Sequence, residues 1–119
     1  MKRILVIEDN ETNIYLIGFI LKKNDHEVIE ARSGEEGVEL AVKEKPDLII
    51  MDIQLPGIDG LETTKRIRKL EADRNTPIVA LTSYAMTGDR EKSLAAGCTG
   101  YIEKPINPDT FMSELEKYF

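Results

Sequence analysis

Acidic side chains stand where two hydrophobic runs of this sequence end. The run in "RILVIEDN" stops at Glu8 and Asp9, and the run in "DLIIMDIQLPGIDG" stops at Asp52. Two carboxylates about 4 Å apart repel each other by on the order of 4 kcal/mol at an effective dielectric constant of 20. If these three meet in the fold, something positive must lie among them. Lys104 is one candidate, and a bound divalent cation is the other.

Hydroxyl and charged groups follow two further apolar runs. Thr82 and Ser83 come after "PIVAL", and Glu103, Lys104 and Pro105 come after "GYI". An oxygen-rich carboxylate site that keeps several waters suits Mg²⁺. A carboxylate can also accept a phosphoryl group as a nucleophile, while a metal ion, a lysine and a hydroxyl such as that of Thr82 stabilise the transferring oxygens. The set favours a phosphoryl-transfer site, and the competing interpretation is that these residues cap turns at strand ends.

The elements that must position these groups are visible as alternating patterns. Short apolar runs predict strands over residues 3–7, 27–31, 47–51, 77–81 and 100–102, with helical segments between and after them. The apolar helix faces are predicted from residues at helical spacing: Ile14, Ile17 and Leu21; Val38, Ala41 and Val42; Leu61, Thr64, Ile67 and Arg68; Leu94 and Ala95; Phe111, Leu115 and Tyr118. Pro108 is placed in the first turn of the last helix.

This alternation predicts an α/β fold of the (βα)5 flavodoxin-like type, a doubly wound parallel five-stranded sheet with helices on both faces. Functional crevices of such sheets lie at the carboxyl ends of the strands. In the strand order 2-1-3-4-5, the four strands with chemically marked ends are contiguous, and the second, which ends in "EARSG", lies at an edge. Neighbouring strands lie about 4.8 Å apart, so Glu8, Asp9 and Asp52 are expected in one crevice.

Length and charge limit the classes of function. The 119 residues are predicted to form one domain over 1–119, with no output domain. The sequence leaves open whether the native chain extends beyond Phe119. The net charge of −6 opposes binding to a polyphosphate backbone, so no nucleic-acid partner is expected. No apolar run has the length of a membrane span and no signal peptide is recognised, so we expect a cytoplasmic protein without a membrane partner. Cys98 is expected to be a buried packing residue.

The marked segments together resemble a known family. "VIEDN", "DLIIMDIQLPGIDGLE", "PIVALTSYA" and "GYIEKPI" look like the response-regulator receiver domain of two-component signalling, in order and over essentially the whole chain. "EDNETN", "MDIQLPGIDG" and "YAMTGDREKSLAAG" look most like single-domain relay regulators and the receiver modules of hybrid histidine kinases.

The resemblance implies a role for each residue of the acidic crevice. Asp52 would be the phosphoacceptor and, with Asp9, a direct ligand of Mg²⁺, for which Mn²⁺ could substitute. Glu8 would support the metal through water, and Gln54 would offer its backbone carbonyl. Lys104 would pair with the phosphoryl group.

The resemblance also implies a switch. Thr82 would be the switch hydroxyl and Tyr101 the aromatic side chain that turns inward when Thr82 moves. Gln54 and Tyr84 would tune the lifetime of the phosphoryl group by controlling access of water. Pro105 matches the Lys-Pro pair of the family, whose peptide bond is commonly cis.

The implied partners are a histidine kinase or a histidine phosphotransfer protein, which supplies the phosphoryl group. A downstream protein, or a second copy of the chain in a phosphorylation-linked homodimer, would dock on the fourth helix, fifth strand and fifth helix, roughly residues 85–118. The chain would not be an enzyme beyond Mg²⁺-dependent self-phosphorylation and autodephosphorylation. Its role would be phosphorelay signalling through altered protein binding.

Proteins of other functional classes share this fold or an aspartate nucleophile. A nucleotide- or flavin-binding protein of the same fold would need a glycine- or hydroxyl-rich loop after the first strand, where "EDNETN" places carboxylates instead. A haloacid-dehalogenase-like phosphatase would need a second acid two residues after the nucleophile, where Gln54 stands. Two alternatives keep the same fold. One is a protein-binding scaffold that is never phosphorylated, and the other is the receiver module of a larger hybrid kinase.

Overall fold

The sheet has the predicted order and direction. The computed structural model describes residues 1–71, 75–83 and 89–119. Five parallel strands lie in the order β2-β1-β3-β4-β5. Their bounds are β1 Arg3–Ile7, β2 Glu27–Ala31, β3 Leu48–Asp52, β4 Ile78–Thr82 and β5 Gly100–Glu103. The third and fourth strands each lie one residue later than predicted, so Asp52 and Thr82 are the last residues of their strands.

Helices connect the strands and cover both faces of the sheet. They are α1 Glu11–Lys23, α2 Gly34–Glu44, α3 Gly60–Glu71, α4 Asp89–Ala96 and α5 Phe111–Glu116. Local side chains determine where three of them begin, because each accepts a hydrogen bond from an otherwise unpaired amide of the first turn. Asn10 Oδ1 accepts from Asn13 N at 3.0 Å, Ser33 Oγ accepts from Glu36 N at 3.1 Å, and Asp59 Oδ1 accepts from Glu62 N at 2.8 Å. None of the helices described combines the length and apolar character needed to cross a bilayer.

The central strands β1, β3 and β4 separate two apolar layers. Alternate residues of a strand point to opposite faces of the sheet, so each strand contributes to both layers. One layer packs against α1 and α5 and includes Ile4, Val6, Ile17, Leu21, Ile50, Val79, Leu81, Phe111 and Leu115. The other includes Leu5, Ile7, Ala41, Ile49, Met51, Ile67, Ile78 and Cys98. Cys98 is buried, as predicted.

The predicted apolar faces of two helices are partly wrong. Val42 on α2 is 47% exposed, and Leu94 on α4 is 42% exposed. Small residues face the sheet instead: on α2 a Cβ added to Gly37 would lie 2.5 Å from Ile7 Cδ1, and on α4 the buried residues include Ser93. Close approach through small side chains turns the larger ones outward, which a hydrophobicity pattern does not detect.

The last helix also begins later than predicted. Phe111 is its first residue, whereas Pro108 lies in the preceding turn. That turn is closed by Asn107 O, which accepts hydrogen bonds from Thr110 N at 3.1 Å and from Phe111 N at 2.9 Å. The predicted burial of Phe111 and Leu115 is confirmed.

The two edge strands differ from the buried central ones. β2 carries charged side chains that pair with arginines: Glu27 with Arg3 at 2.7 Å and Glu30 with Arg32 at 3.2 Å. β5 is four residues long. Polar residues at the carboxyl ends of the inner strands and of β5 therefore stand out against an apolar sheet interior.

Gly60, the first residue of α3, fixes the spacing between this helix and the end of β3. A Cβ at this position would lie 2.4 Å from Asp52 O and 2.6 Å from Ile53 Cα, both of which are backbone atoms. We expect Gly60→Ala to lower the free energy of unfolding by roughly 2 to 3 kcal/mol, because backbone cannot yield as a flexible side chain does. Urea titration measures the change.

Gly18, in the middle of α1, is the matched control for that substitution. An added Cβ there meets nothing within 4 Å. Gly18→Ala should leave stability unchanged or raise it by up to about 1 kcal/mol, because alanine favours the helix. Equal destabilisation by the two substitutions would contradict the close contact at Gly60.

Candidate functional site

Three carboxylates converge at the carboxyl ends of β1 and β3. One oxygen from each of Glu8, Asp9 and Asp52 lies within 4.8 Å of the others. Glu8 is 1% exposed and Asp52 is 2% exposed, whereas Asp9 is open to solvent. The structure thus brings together the acidic residues that the strand-end argument placed in one crevice.

Lys104 is the positive group that meets them. Its Nζ donates to Asp52 Oδ1 at 3.1 Å and lies 3.6 Å from Glu8 Oε2. The lysine follows β5, and its backbone N donates to Thr82 O at 2.7 Å, which ties this loop to the end of β4. The Lys104-Pro105 peptide bond is cis, as the resemblance implied. The Lys104 ammonium group thus faces both buried carboxylates, those of Glu8 and Asp52.

Backbone amides hold the two buried carboxylates in place. Gln54 N donates to Asp52 Oδ1 at 3.1 Å, and Asn10 N donates to Glu8 Oε1 at 3.2 Å. Asp52 Oδ1 therefore accepts from both Gln54 and Lys104. Both of these hydrogen bonds go to the same oxygen of the Asp52 carboxylate.

Glu8 is the residue whose charge is least stabilised. Burial, then the neighbouring Asp52 carboxylate, raises the pKa of Glu8 to about 7, and Lys104 offsets only part of this rise. Its Oε2 is buried and has no hydrogen-bond partner in the described part of the chain. Glu8 thus offers a buried oxygen that accepts no hydrogen bond, next to the carboxylates of Asp9 and Asp52. These three carboxylates are a ligand set that fits a hard divalent cation such as Mg²⁺.

This raised pKa predicts how stability depends on pH without metal. The folded state holds a proton on Glu8 up to about pH 7, whereas the unfolded chain releases it near 4.5. The proton on Glu8 therefore adds its full contribution to the free energy of unfolding below pH 4.5, and this contribution is lost as the pH rises through 7. We expect the stability in EDTA to fall by about 2 kcal/mol from pH 5.5 to pH 7.5. Thermal melting at the two pH values measures it.

Glu8→Gln is the control for that titration, because the amide has the same shape and does not ionise. The variant should lose most of the pH dependence in this window. Two results would contradict the raised pKa of Glu8. One is a wild-type melting temperature that rises from pH 5.5 to pH 7.5, and the other is a Glu8→Gln variant whose melting temperature changes with pH as much as that of wild type.

Two hydroxyl residues close the crevice on the β4 side. Thr82 is 3% exposed, and its Oγ1 is buried without a hydrogen-bond partner among residues 1–71, 75–83 and 89–119. Ser83 Oγ donates to Gln54 Oε1 at 2.9 Å. The sequence placed Ser83 at this strand end without a role, and it gave no sign that the Gln54 side chain would be bound.

The proposed aromatic partner of Thr82 lies on the adjacent strand. Tyr101 is partly buried on β5, two residues before Glu103, which pairs with Thr82 in the sheet register. The Arg90 guanidinium carbon lies 5.3 Å from the centre of the Tyr101 ring, a cation–π contact that sequence analysis missed. Tyr84 lies outside the described residues, as do residues 85–88 of the predicted docking surface.

Comparison with known proteins agrees with this geometry. Residues 4–116 match the family described as the response regulator receiver domain. The polar-differentiation response regulator DivK of Brucella ovis is 42% identical over 117 residues, which cover 98% of this chain and 95% of DivK.

Solved structures show the same architecture. Chemotaxis protein CheY4 of Vibrio cholerae superimposes with a TM-score of 0.94 at 29% identity, covering 100% of this chain and 99% of that one. The receiver domain of the sensor histidine kinase PA1611 from Pseudomonas aeruginosa gives a TM-score of 0.89 at 36% identity, covering 98% and 96%. Family, fold and acidic crevice agree: the chain belongs to the response regulator receiver domains of two-component signalling.

Proposed function

We propose that Asp52 is the phosphoacceptor, which receives a phosphoryl group from a histidine kinase or a histidine phosphotransfer protein. The observation that carries this proposal is the buried Asp52 carboxylate, with Oδ1 bound to Lys104 and Gln54 N and with Glu8 and Asp9 beside it. Such an arrangement orients one oxygen as a nucleophile while holding the other.

The transfer forms one bond and breaks one. An Asp52 oxygen attacks the phosphorus of the donor phosphohistidine, and the phosphorus–nitrogen bond breaks with its electron pair leaving on the imidazole, which takes a proton from solvent. The Lys104 ammonium, 3.1 Å from Asp52 Oδ1, neutralises charge on the phosphoryl oxygens. Hydrolysis of the aspartyl phosphate returns the free carboxylate, so the only catalysis we propose is self-phosphorylation and autodephosphorylation.

Glu8, Asp9 and Asp52 would hold Mg²⁺, or Mn²⁺ in its place, with Asp9 and Asp52 as direct ligands and Glu8 acting through water. The Gln54 carbonyl is the proposed backbone ligand. When bound, the cation supplies positive charge to the phosphoryl oxygens. The donor set supports this, and the related receiver domain of PA1611 has a magnesium ion coordinated in its active-site cleft.

We further propose that the signal leaves through the α4, β5 and α5 surface, to a downstream protein or to a second copy of the chain. A cytoplasmic location is part of the same proposal.

The experiment is incubation with acetyl phosphate and Mg²⁺ followed by mass spectrometry, with the modified peptide mapped. We expect a single phosphoryl adduct on Asp52. Asp59→Asn is the matched control, because Asp59 caps α3 outside the crevice and the amide can still cap. Absence of an adduct, or an adduct on another residue, would contradict the proposal and favour a phosphorylation-independent scaffold.

The metal site gives a separate prediction. Mg²⁺ should stabilise the protein by about 1.4 kcal/mol for each tenfold increase above its dissociation constant. Asp9→Ala should remove this response, because it removes an exposed ligand without emptying the core. Melting temperatures over a Mg²⁺ titration measure the effect.

Asp109→Ala serves as the control, because Asp109 is an exposed acid in the turn before α5. This variant should keep the full Mg²⁺ response. If Asp9→Ala also keeps it, the cation binds elsewhere.

A further inference from the structure

We propose that the exposed side of α1 is a self-complementary surface, on which two copies of this chain pair with their α1 helices antiparallel. The inference goes beyond the proposed function, because this contact needs no phosphoryl group on Asp52. It rests on four residues of α1 that we call the α1 stripe: Glu11, Tyr15, Gly18 and Lys22.

The α1 stripe runs along one side of the helix. Its members follow one another at intervals of four, three and four residues, and residues three or four apart are neighbours on a helix surface. The side chains of Glu11, Tyr15 and Lys22 are exposed, whereas Ile17 and Leu21 are buried in the core between α1 and the sheet. The stripe therefore lies on the side of α1 that the fold leaves uncovered.

This side of α1 combines a protruding aromatic side chain with a recess. Tyr15 is 75% exposed, and Phe19, four residues further on, is 56% exposed. Beside them lies a cavity of about 180 Å³, which is lined by Ile14, Tyr15, Gly18, Phe19, Lys22 and Glu30. A Cβ added to Gly18 would meet nothing within 4 Å, so the space above this glycine is open. The tyrosine ring of a second molecule has the shape to enter such a recess.

The order of residues in the α1 stripe makes it complementary to itself. A twofold axis that passes between residues 16 and 17 places Tyr15 of one copy against Gly18 of the other, and Glu11 against Lys22. Each contact then occurs twice, as twofold symmetry requires. Glu11 and Lys22 are about 16 Å apart along the helix, so the two ion pairs lie at opposite ends of the contact with both tyrosine rings between them.

The charges of the α1 stripe identify a second copy as the partner. The acid lies in the first turn of α1 and the lysine in the last turn, so an antiparallel helix with the same arrangement matches both ends. Glu11 also pairs with Arg32, yet its side chain is 70% exposed and stays open to a second partner. Exposed ion pairs add little affinity. They set the orientation of the two helices, and burial of the Tyr15 ring stabilises the contact.

The test is sedimentation of the full chain at concentrations from about 10 µM to about 1 mM, because a contact confined to one helix side is smaller than a standard interface and associates weakly. We expect wild type to change from monomer to dimer over this range, and Asp52→Asn to behave in the same way. Tyr15→Ala removes the ring and Gly18→Leu fills the recess, so both variants should stay monomeric. A monomeric wild type, or a dimer that persists in either of these two variants, would overturn the inference.

Two charge reversals test the antiparallel pairing itself. Glu11→Lys and Lys22→Glu should each abolish the dimer, because each places like charges against each other at both ends of the contact. An equal mixture of the two variants should dimerise, because every ion pair then joins opposite charges again. Lys43→Glu is the matched control: Lys43 is an exposed lysine in the last turn of α2, and its reversal should leave the dimer intact.

A mixture that stays monomeric, or a dimer lost in Lys43→Glu, would contradict the antiparallel contact. Melting temperatures show that each variant is folded before it is sedimented. Because Asp52→Asn is expected to dimerise like wild type, failure of the proposed phosphorylation and failure of this contact are separate results.

Discussion

Asp52→Asn is expected to reduce phosphoryl labelling to background under conditions that label the wild-type protein fully. The amide is nearly the same size as the carboxylate, and its oxygen can still accept from Lys104 Nζ and Gln54 N, so the fold should persist. The amide has no anionic oxygen to attack phosphorus, so the covalent step is lost.

The same substitution should change the electrostatics of the crevice in a second measurable way. Removing one charge beside the buried Glu8 removes one cause of its raised pKa. Without metal at neutral pH, Asp52→Asn should melt at a temperature equal to or slightly above that of wild type. Labelling of the variant at the wild-type rate would refute the assignment of Asp52. Loss of labelling together with a large drop in melting temperature would mean that the fold, not the nucleophile, had been removed.

Thr82→Ala is expected to separate phosphorylation from its consequence. Asp52 should still be labelled, yet most phosphorylation-dependent partner binding or dimer formation should disappear. The physical reason is the buried Thr82 Oγ1, which has no hydrogen-bond partner from the described chain. An unsatisfied buried hydroxyl costs about 1 to 3 kcal/mol, and a phosphoryl oxygen on Asp52 would satisfy it in one state only. A ligand shifts a two-state equilibrium only through such differential contacts.

Thr82→Ser is the matched control, because it keeps the hydroxyl and should keep the response. Mass spectrometry measures the labelling of Asp52, and NMR chemical shifts over residues 89–118 measure the response of the docking surface. In wild type the shifts on phosphorylation should include Tyr101, and in Thr82→Ala they should stay near Asp52. Shifts that cluster on α1 and leave residues 89–118 unchanged would replace this switch with relay through the α1 face.

The sequence was sufficient to predict the strand order of the sheet and the residues that meet in the acidic crevice. Parallel strands end at one edge, so the order of five apolar runs already brought Glu8, Asp9 and Asp52 together, and it placed Lys104 just after β5, the strand that lies beside β4. The ends of buried parallel strands have fixed positions, so the strand order alone locates the residues that stand there.

Other features could not be predicted because they depend on rotamers and helix depth. The hydrogen bond from Ser83 Oγ to Gln54 Oε1 and the cation–π contact of Arg90 with Tyr101 are made by exposed or half-exposed side chains, whose directions leave no periodic signal. The exposure of Val42 follows from how closely α2 approaches β1, and that distance is determined by the absence of a side chain at Gly37.

Both edges of the sheet disfavour strand-to-strand pairing between copies of this chain. β2 presents the salt-bridged Glu27 and Glu30, and β5 is short and followed by Lys104 and Pro105. Charged, short and proline-ended edges are poor templates for another strand, and they protect a sheet from joining a neighbour and growing into an aggregate. If two molecules associate after phosphorylation, as proposed, we expect contact through side chains of the α4, β5 and α5 surface and not extension of the sheet from one molecule into the next.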